Sequence, residues 1–233
     1  MKKLMLLLML CGNLHAEKIE FVVSSGAGGP NDYISRKIAE KIENNSELNV
    51  VIYNKPGAGG RIAYDYIKQS NRPTIAISTS EISESDVYEM IDPIFSLGTF
   101  KNLVFVRSSD VNGIEELSKK DVVKFGHGGE GTFSHKTMVE LCKKMNCIAV
   151  PFKSGSEGML NVATGTIDVY ALVGYGTNQF LSNKNYKVIG EVTLKNNWIK
   201  LFGKNLPPKD KETIKNILKN TDKEFFREMN LNN

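Results

Sequence analysis

The chain is poor in the residues that most often carry chemistry. It has three histidines, three cysteines and a single tryptophan. After its first eleven residues it holds no apolar run near the roughly 18 residues that a membrane-spanning helix needs, so no membrane-spanning helix is expected and the mature chain is read as soluble. It has no block of like charge either: lysines and arginines are interleaved with acids and asparagines, the pattern of a solvated surface, and nucleic acid is not called for as a partner. No glycine loop is followed by Lys-Ser or Lys-Thr, which removes the phosphate loop of NTPases. No Gly-x-Ser-x-Gly elbow surrounds a nucleophile, since Gly155-Ser156-Glu157-Gly158 has the wrong spacing.

What is present begins with an export signal. Lys2 and Lys3 form a positive start, Leu4 to Leu10 an unbroken apolar stretch, and Leu14-His15-Ala16 a cleavage site ending in a small residue. Residues 1–16 are expected to be removed, leaving Glu17 as the new N-terminus of a periplasmic protein. Lipidation at Cys11 is the less favoured alternative, because the bulky Leu10 precedes it. The remaining 217 of 233 residues suffice for one large domain or two small ones, at about 100 to 200 residues each. With Lys2 and Lys3 gone, 28 basic residues face 26 acidic ones. A composition of 41% hydrophobic and 24% charged residues, with 20 glycines and 7 prolines spread along the chain, is globular and argues against disorder, collagen and coiled coil. Cys142 and Cys147, five apart, permit a local disulfide in an exported protein; two unpaired, half-buried thiols are the favoured reading. Two sulfurs with no histidine nearby do not make a zinc site, and no metal or cofactor is expected.

One unit recurs along the chain. A strand over Glu17 to Ser24 ends at Gly26-Ala27-Gly28-Gly29-Pro30, and a helix over Asn31 to Glu43 follows, with Ile34, Ile38 and Ile42 on one face. Leu48 to Tyr53, the loop Pro56 to Gly60 and a helix over Ile62 to Lys68 repeat it, and Thr74 to Ser78 adds a strand. After a strand at Leu103 to Val106 and a short helix over Gly113 to Lys119, the unit returns as strand Val122 to Phe125, loop Gly126 to Gly131 and helix Ser134 to Met145. A last copy runs from Ile148 to Val150 through Pro151 to Ser156 into helix Glu157 to Thr164, before a strand over Asp168 to Val173. Alternating β and α units predict mostly parallel sheets flanked by helices. A final helix over Lys209 to Leu218, after Pro207-Pro208, closes the first half.

Parallel sheets present ligands at the carboxyl ends of their strands, where all four glycine loops lie. Unpaired N–H groups of the first helical turn suit a carboxylate or phosphate, and glycine lets it approach the backbone. Gly126-His127-Gly128-Gly129-Glu130-Gly131 is a literal dinucleotide fingerprint, but Val150-Pro151-Phe152-Lys153 stands where its ribose-binding acid belongs. A catalytic triad would need His127 or His135 beside a serine; Ser134 and His135 are sequence neighbours pointing different ways on a helix, and His135 is read as a first-turn residue bonding locally.

These loops carry a resemblance. Gly26-Ala27-Gly28-Gly29-Pro30-Asn31-Asp32 and Asn54-Lys55-Pro56-Gly57-Ala58-Gly59-Gly60 resemble the opening motifs of the periplasmic receptors of tripartite tricarboxylate transporters, the Bug family. Gly131-Thr132-Phe133-Ser134-His135, Val150-Pro151-Phe152-Lys153-Ser154-Gly155 and Thr164-Gly165-Thr166-Ile167-Asp168 follow in that family's order, as does Trp198-Ile199-Lys200-Leu201-Phe202. The resemblance implies a two-lobed, periplasmic-binding-protein-like (type II) fold with a ligand cleft between lobes. Lobe 1 would span residues 17–105, completed by 190–233, and lobe 2 residues 106–189. It implies a monomeric, non-enzymatic receptor that holds a small organic carboxylate and passes it transiently to integral membrane transporter subunits. Carried over by position, the ligand-binding residues are Ala27, Gly28, Gly29, Asn31, Gly128, Gly129, Thr132 and Ser134, with Lys153 and Ser154 beside them. The chain is shorter than usual members, lacking material between Ser80 and Leu97 and between Val192 and Trp198; Asn31 stands where the family often has Thr, and Phe133 replaces a small polar residue. A nucleotide-binding enzyme using the Gly126–Gly131 loop, and a degenerate receptor acting as a sensor or interaction module, are the alternatives.

Overall fold

Residues 18–79, 92–194 and 197–232 are described by the computed structural model. The expected leader with Cys11, the new terminus Glu17, and the stretch after residue 79 where the chain is shortened lie outside the described residues. The first strand, β1 (Ile19–Val23), is buried along its whole length, as its apolar sequence requires. Its one acid, Glu20, is buried as well, and it is satisfied by the Tyr66 hydroxyl and the Arg72 guanidinium, both at 2.7 Å. A carboxylate out of water needs such partners. Helix α1 (Pro30–Glu43) has Pro30 in its first position, where the missing N–H costs nothing, and packs Ile34, Ile38 and Ile42 fully buried on one face.

Then follow β2 (Val50–Asn54), a 3-10 turn (Ala58–Gly60) running into α2 (Arg61–Gln69), and β3 (Thr74–Thr79). The next strands are β4 (Asp92–Thr99) and β5 (Asn102–Arg107), followed by α3 (Ile114–Leu117). The second half runs β6 (Val123–His127), α4 (Phe133–Leu141), β7 (Cys147–Pro151), α5 (Gly155–Ala163) and β8 (Val169–Val173). The chain ends through α6 (Asn178–Leu181), β9 (Tyr186–Val192), β10 (Trp198–Lys204), α7 (Pro208–Lys219) and α8 (Lys223–Arg227).

Two five-stranded sheets form, in the orders β2-β1-β3-β10-β4 and β7-β6-β8-β5-β9. In each, three parallel strands come from the βαβ units, and two antiparallel strands complete the sheet. The strand beside the parallel trio is in both cases the one that has just crossed from the other lobe: β5 follows β4, and β10 follows β9. The sheet changes at Phe100 and Lys101 and again between Val192 and Trp198, so β5 lies wholly in the second sheet, ahead of the expected division after residue 105. Apolar residues cover both faces of each sheet. In the first, Ile19, Phe21 and Val23 face α1 and α7, and Val22 with Ala76 faces α2. In the second, Val104 and Phe125 face α4, and Phe105 with Tyr170 faces α5.

Phe100, at the first crossing, is buried, with the rings of Phe133 and Tyr175 edge-on at 4.9 and 4.8 Å. Phe133 therefore belongs to an aromatic hinge cluster and at the same time walls the cleft. The free-thiol reading of Cys142 and Cys147 is corrected: they form a disulfide with Cα atoms 5.8 Å apart. The expected helix to Met145 stops at Leu141, because Cys142 caps it and the chain must turn at once for Cys147 to open β7.

The crosslink closes a very short loop, and chain entropy sets its contribution at about 2 kcal/mol. Cys142→Ser with Cys147→Ser, or reduction, is expected to lower unfolding stability by about that amount with the fold retained. Urea titrations with and without reductant measure it; an unchanged midpoint would show that the bridge leaves the unfolded chain as free as before.

Candidate functional site

Four βα junctions, two in each lobe, point their helix N-termini at one cavity of about 130 Å³. Lobe 1 lines it with Ser24, Ser25, Pro30 and Asn31 from the first junction and Gly57, Gly59 and Gly60 from the second. Lobe 2 supplies Gly128, Thr132, Phe133 and Ser134 from one junction and Lys153, Ser154 and Gly155 from the next, and the end of β8 with Tyr175 forms the floor. Each helix start leaves unpaired N–H groups and about half a positive charge. Among the described residues, Lys153 is the one charged side chain of the lining. Donors of both lobes and, among the described residues, no carboxylate surround the space, which is the environment an anion needs.

The lobes touch through backbone. A methyl group on Gly59 would lie 2.5 Å from the Glu130 carbonyl oxygen, and one on Gly129 would lie 3.1 Å from Gly59 N. Both residues have positive φ, +62° and +107°, a region glycine occupies without strain. Gly26 meets the other lobe at Ser154, whose Cβ would stand 2.9 Å from a methyl there.

The first loop is tied down by one buried carboxylate. Asp32 accepts the Gly28 N–H and the Arg36 Nε–H through Oδ2, both at 2.9 Å, and Asn54 Nδ2–H through Oδ1 at 2.9 Å. Asn54 also donates to the Ser25 carbonyl at 3.0 Å, so the end of β2 holds the loop after β1. Burial pushes the Asp32 carboxyl up, but the Arg36, Gly28 and Asn54 hydrogen bonds outweigh it, and the net shift is below the ordinary carboxylate value.

In the second lobe, hydroxyls and imidazoles shape the loop. Thr132 Oγ1 donates to the Gly129 carbonyl at 2.7 Å and caps α4 by accepting from His135 N. Ser134 Oγ accepts the Gly128 N–H at 2.8 Å and lies 3.0 Å from Thr132 Oγ1. His127 Nδ1 accepts the Gly129 N–H, and His135 Nδ1 the Gly131 N–H, so His135 does bond locally. Burial holds the His127 imidazole below its ordinary value, in the neutral form that can accept. Burial likewise pushes the Tyr170 phenol up, helped by Glu157 and opposed by its bond to Ser134.

Of the ten residues singled out in the sequence, Asn31, Gly128, Thr132, Ser134, Lys153 and Ser154 line the cavity. Ala27 and Gly28 are exposed, Gly28 bordering a second hollow of about 260 Å³ beside Arg36 and Gln179. Gly29 is the residue before α1 and sits against Gly155, and Gly129 makes the contact with Gly59. Sequence reasoning did not single out Gly59, Ser25 or Tyr175. The second glycine loop was the signal for Gly59; Tyr175 gave none, because its place depends on the return of the chain past α1. The Gly126 fingerprint serves packing: a methyl there would strike Tyr170, Ile167 and Phe152 at 2.5, 2.6 and 3.1 Å. That glycine is roofed by side chains where a pyrophosphate would have to approach. Among the described residues, no group of three His, Cys, Asp or Glu could hold a metal ion, and no helix is long and apolar enough to cross a membrane.

No protein-family model matches the sequence. A UPF0065 protein of Bordetella pertussis is 24% identical over 209 residues, covering 79% of this chain and 64% of that protein. The chain spans less than two thirds of the length of the curated relatives it matches. In fold it is similar to the periplasmic binding protein BugD, with a TM-score of 0.78 and 20% identity over 91% of this chain and 85% of that one. It is also similar to MatC from Rhodopseudomonas palustris with bound malate, at 0.73 and 16% identity over 90% and 86%. The Bug resemblance read from the motifs and the two-lobed α/β fold are both borne out.

Because the folded Asp32 carboxyl lies below its unfolded value, its stabilisation is complete above about pH 4 and is lost as pH falls through the lower folded value. Asp32→Asn is expected to cost about 1 to 3 kcal/mol at neutral pH and to flatten the acid limb of the stability curve. Chemical denaturation at pH 7 and pH 3 tests both; an unaltered acid limb would remove Asp32 from that role.

Proposed function

We propose that this chain, related in sequence to UPF0065 proteins and built like BugD, is an exported receptor that captures a small organic carboxylate between its lobes. The observation that carries this reading is the convergence of four helix N-termini from both lobes on one cavity that has no acid in its lining among the described residues. The likeness to a malate-bound protein of the same fold supports it. Catalysis is disfavoured by the hydrogen bonding. Among the described residues, no lining serine or threonine hydroxyl is bonded to an imidazole or carboxylate base, and both histidines spend Nδ1 on backbone N–H groups. A nucleotide is disfavoured by size, since pockets for such ligands run to about 300 to 1,000 Å³.

The receptor acts as a monomer in the periplasm after cleavage behind Ala16, and hands its ligand to membrane subunits of a tripartite carboxylate transporter. An intact mass beginning at Glu17 is expected for periplasmic material; retained residues 1–16, or a lipid on Cys11, would refute that processing. Binding stabilises the closed form, because neither lobe alone completes the donor set. Ligand at about 100 times its dissociation constant should add about 2.7 kcal/mol to stability. A thermal-shift screen of succinate, malate and adipate tests this, and no shift with any of them would count against the receptor.

Closure has its own test. Gly26 has no positive φ, so Gly26→Ala strains nothing in an open cleft but meets Ser154 in a closed one. Affinity should fall about tenfold with little change in the unliganded melt, and Ser154→Gly should restore most of it, since glycine at a helix N-cap costs only a few tenths of a kcal/mol. Equal loss in both backgrounds would show that the contact does not govern closure.

A further inference from the structure

Tyr175 lies at the floor of the cavity, 1% exposed, and its hydroxyl donates to Asn31 Oδ1 at 2.7 Å. The ring cannot swing away: Phe100 meets it edge-on, and Phe100 is held in turn by Phe133. The flanking backbone is pinned as well. Gly176 N–H donates to the Met229 carbonyl, and a methyl on Gly176 would lie 2.6 Å from the Pro30 carbonyl oxygen, so this segment sits directly against the start of α1.

Asn31 is the second residue of α1 and the lining residue of lobe 1 whose side chain has both an acceptor and a donor end. A carboxamide free to rotate offers a bound carboxylate its N–H₂ half the time and its repelling oxygen the other half. A phenol that occupies Oδ1 resolves this ambiguity, leaving the two N–H donors for the space in front. We infer that Tyr175 is the positioning residue that fixes the Asn31 carboxamide with its N–H₂ offered to the ligand, and so makes lobe 1 selective for an anionic oxygen. The inference rests on the receptor reading and names a residue that sets its specificity. Tyr175 does not touch the ligand in this role; it acts through Asn31.

A double-mutant cycle with titration calorimetry tests it, using succinate, malate and adipate as probes. Tyr175→Phe keeps the ring packing and should weaken binding about fivefold, the worth of one hydrogen bond, with the unliganded protein still folded and its stability lowered by no more than that one bond contributes. In an Asn31→Thr background the same change should cost nothing further, because a hydroxyl turns to donate without an orienting partner. In proton–nitrogen NMR spectra of the unliganded protein, the Asn31 side-chain N–H₂ pair should be rigid and should become averaged in Tyr175→Phe. Equal affinity of wild type and Tyr175→Phe, an equal loss in both backgrounds, an Asn31→Thr protein that no longer binds, or an N–H₂ pair indifferent to Tyr175→Phe would each overturn the assignment. If the wild type binds none of the three acids, the receptor reading itself falls and takes this one with it; binding by the wild type with no coupling removes Tyr175 alone.

Discussion

The cleft depends on main chain approaching main chain. Where Gly59 meets Gly129 and Glu130, even one β-carbon would force the lobes apart. The cavity beside this contact is small, and on the proposed reading the donors facing it are mostly backbone groups at helix starts. Such donors are fixed by the fold before a ligand arrives and lose no side-chain entropy on binding. Their cost is conformational: the loops that present them adopt positive φ at Gly28, Gly59, Gly60 and Gly129, and something else must hold them in shape.

Each lobe solves that holding problem differently. In lobe 1 a single buried carboxylate, Asp32, gathers the first loop, the first turn of α1 and the end of β2. A charged acceptor makes stronger bonds than a neutral one, and three donors offset its desolvation. Lobe 2 uses neutral groups for the same purpose: Thr132, Ser134, His127 and His135 together engage the N–H or carbonyl groups of Gly128, Gly129 and Gly131. The asymmetry keeps negative charge at Asp32 behind its own loop, where Arg36 neutralises it, and among the described residues the cavity lining holds no acid.

Local patterning made half of each sheet legible. β1, β2, β3 and β6, β7, β8 are short, mostly apolar runs, all but β3 meeting a glycine or proline at or just after their ends, and their helices carry a 3.6-residue stripe, so the four βα junctions and the cleft between lobes could be read directly. Of the remaining strands only β5 could, as Leu103 to Val106; β4, β9 and β10 could not. β4 begins Asp92-Pro93, and β9 and β10 alternate with lysine, glycine and glutamate; their pairing is set by the other lobe rather than by their own residues. The candidate site was legible to the same degree. The glycine loops were found because loop chemistry is local, and residues in them such as Asn31 and Thr132 were reached through the family motifs that span those loops. Tyr175 was not, because a phenol 144 positions from its partner leaves no trace in spacing. Gly126 misled for the converse reason: a fingerprint specifies residue types, whereas its meaning depends on whether side chains or solvent cover the glycine.

On the proposed reading, a receptor that must release what it captures has an upper bound on affinity, and the described lining is consistent with it. Hydrogen bonds to a charged ligand contribute about 1.5 to 3 kcal/mol each, against an association cost of at least about 4 kcal/mol and the work of closing the lobes. A few such bonds leave roughly micromolar binding. A buried arginine paired to the ligand would exceed this and slow release, since most affinity gain appears in the dissociation rate. Among the described residues, the lining instead has one lysine, Lys153, itself exposed, and otherwise neutral donors. Affinity is then spread over contacts from both lobes, none sufficient alone, so a partner that parts the lobes removes half of them together. The same glycine contacts that allow closure make it reversible, because they bring the lobes together through backbone packing rather than through a large apolar seam.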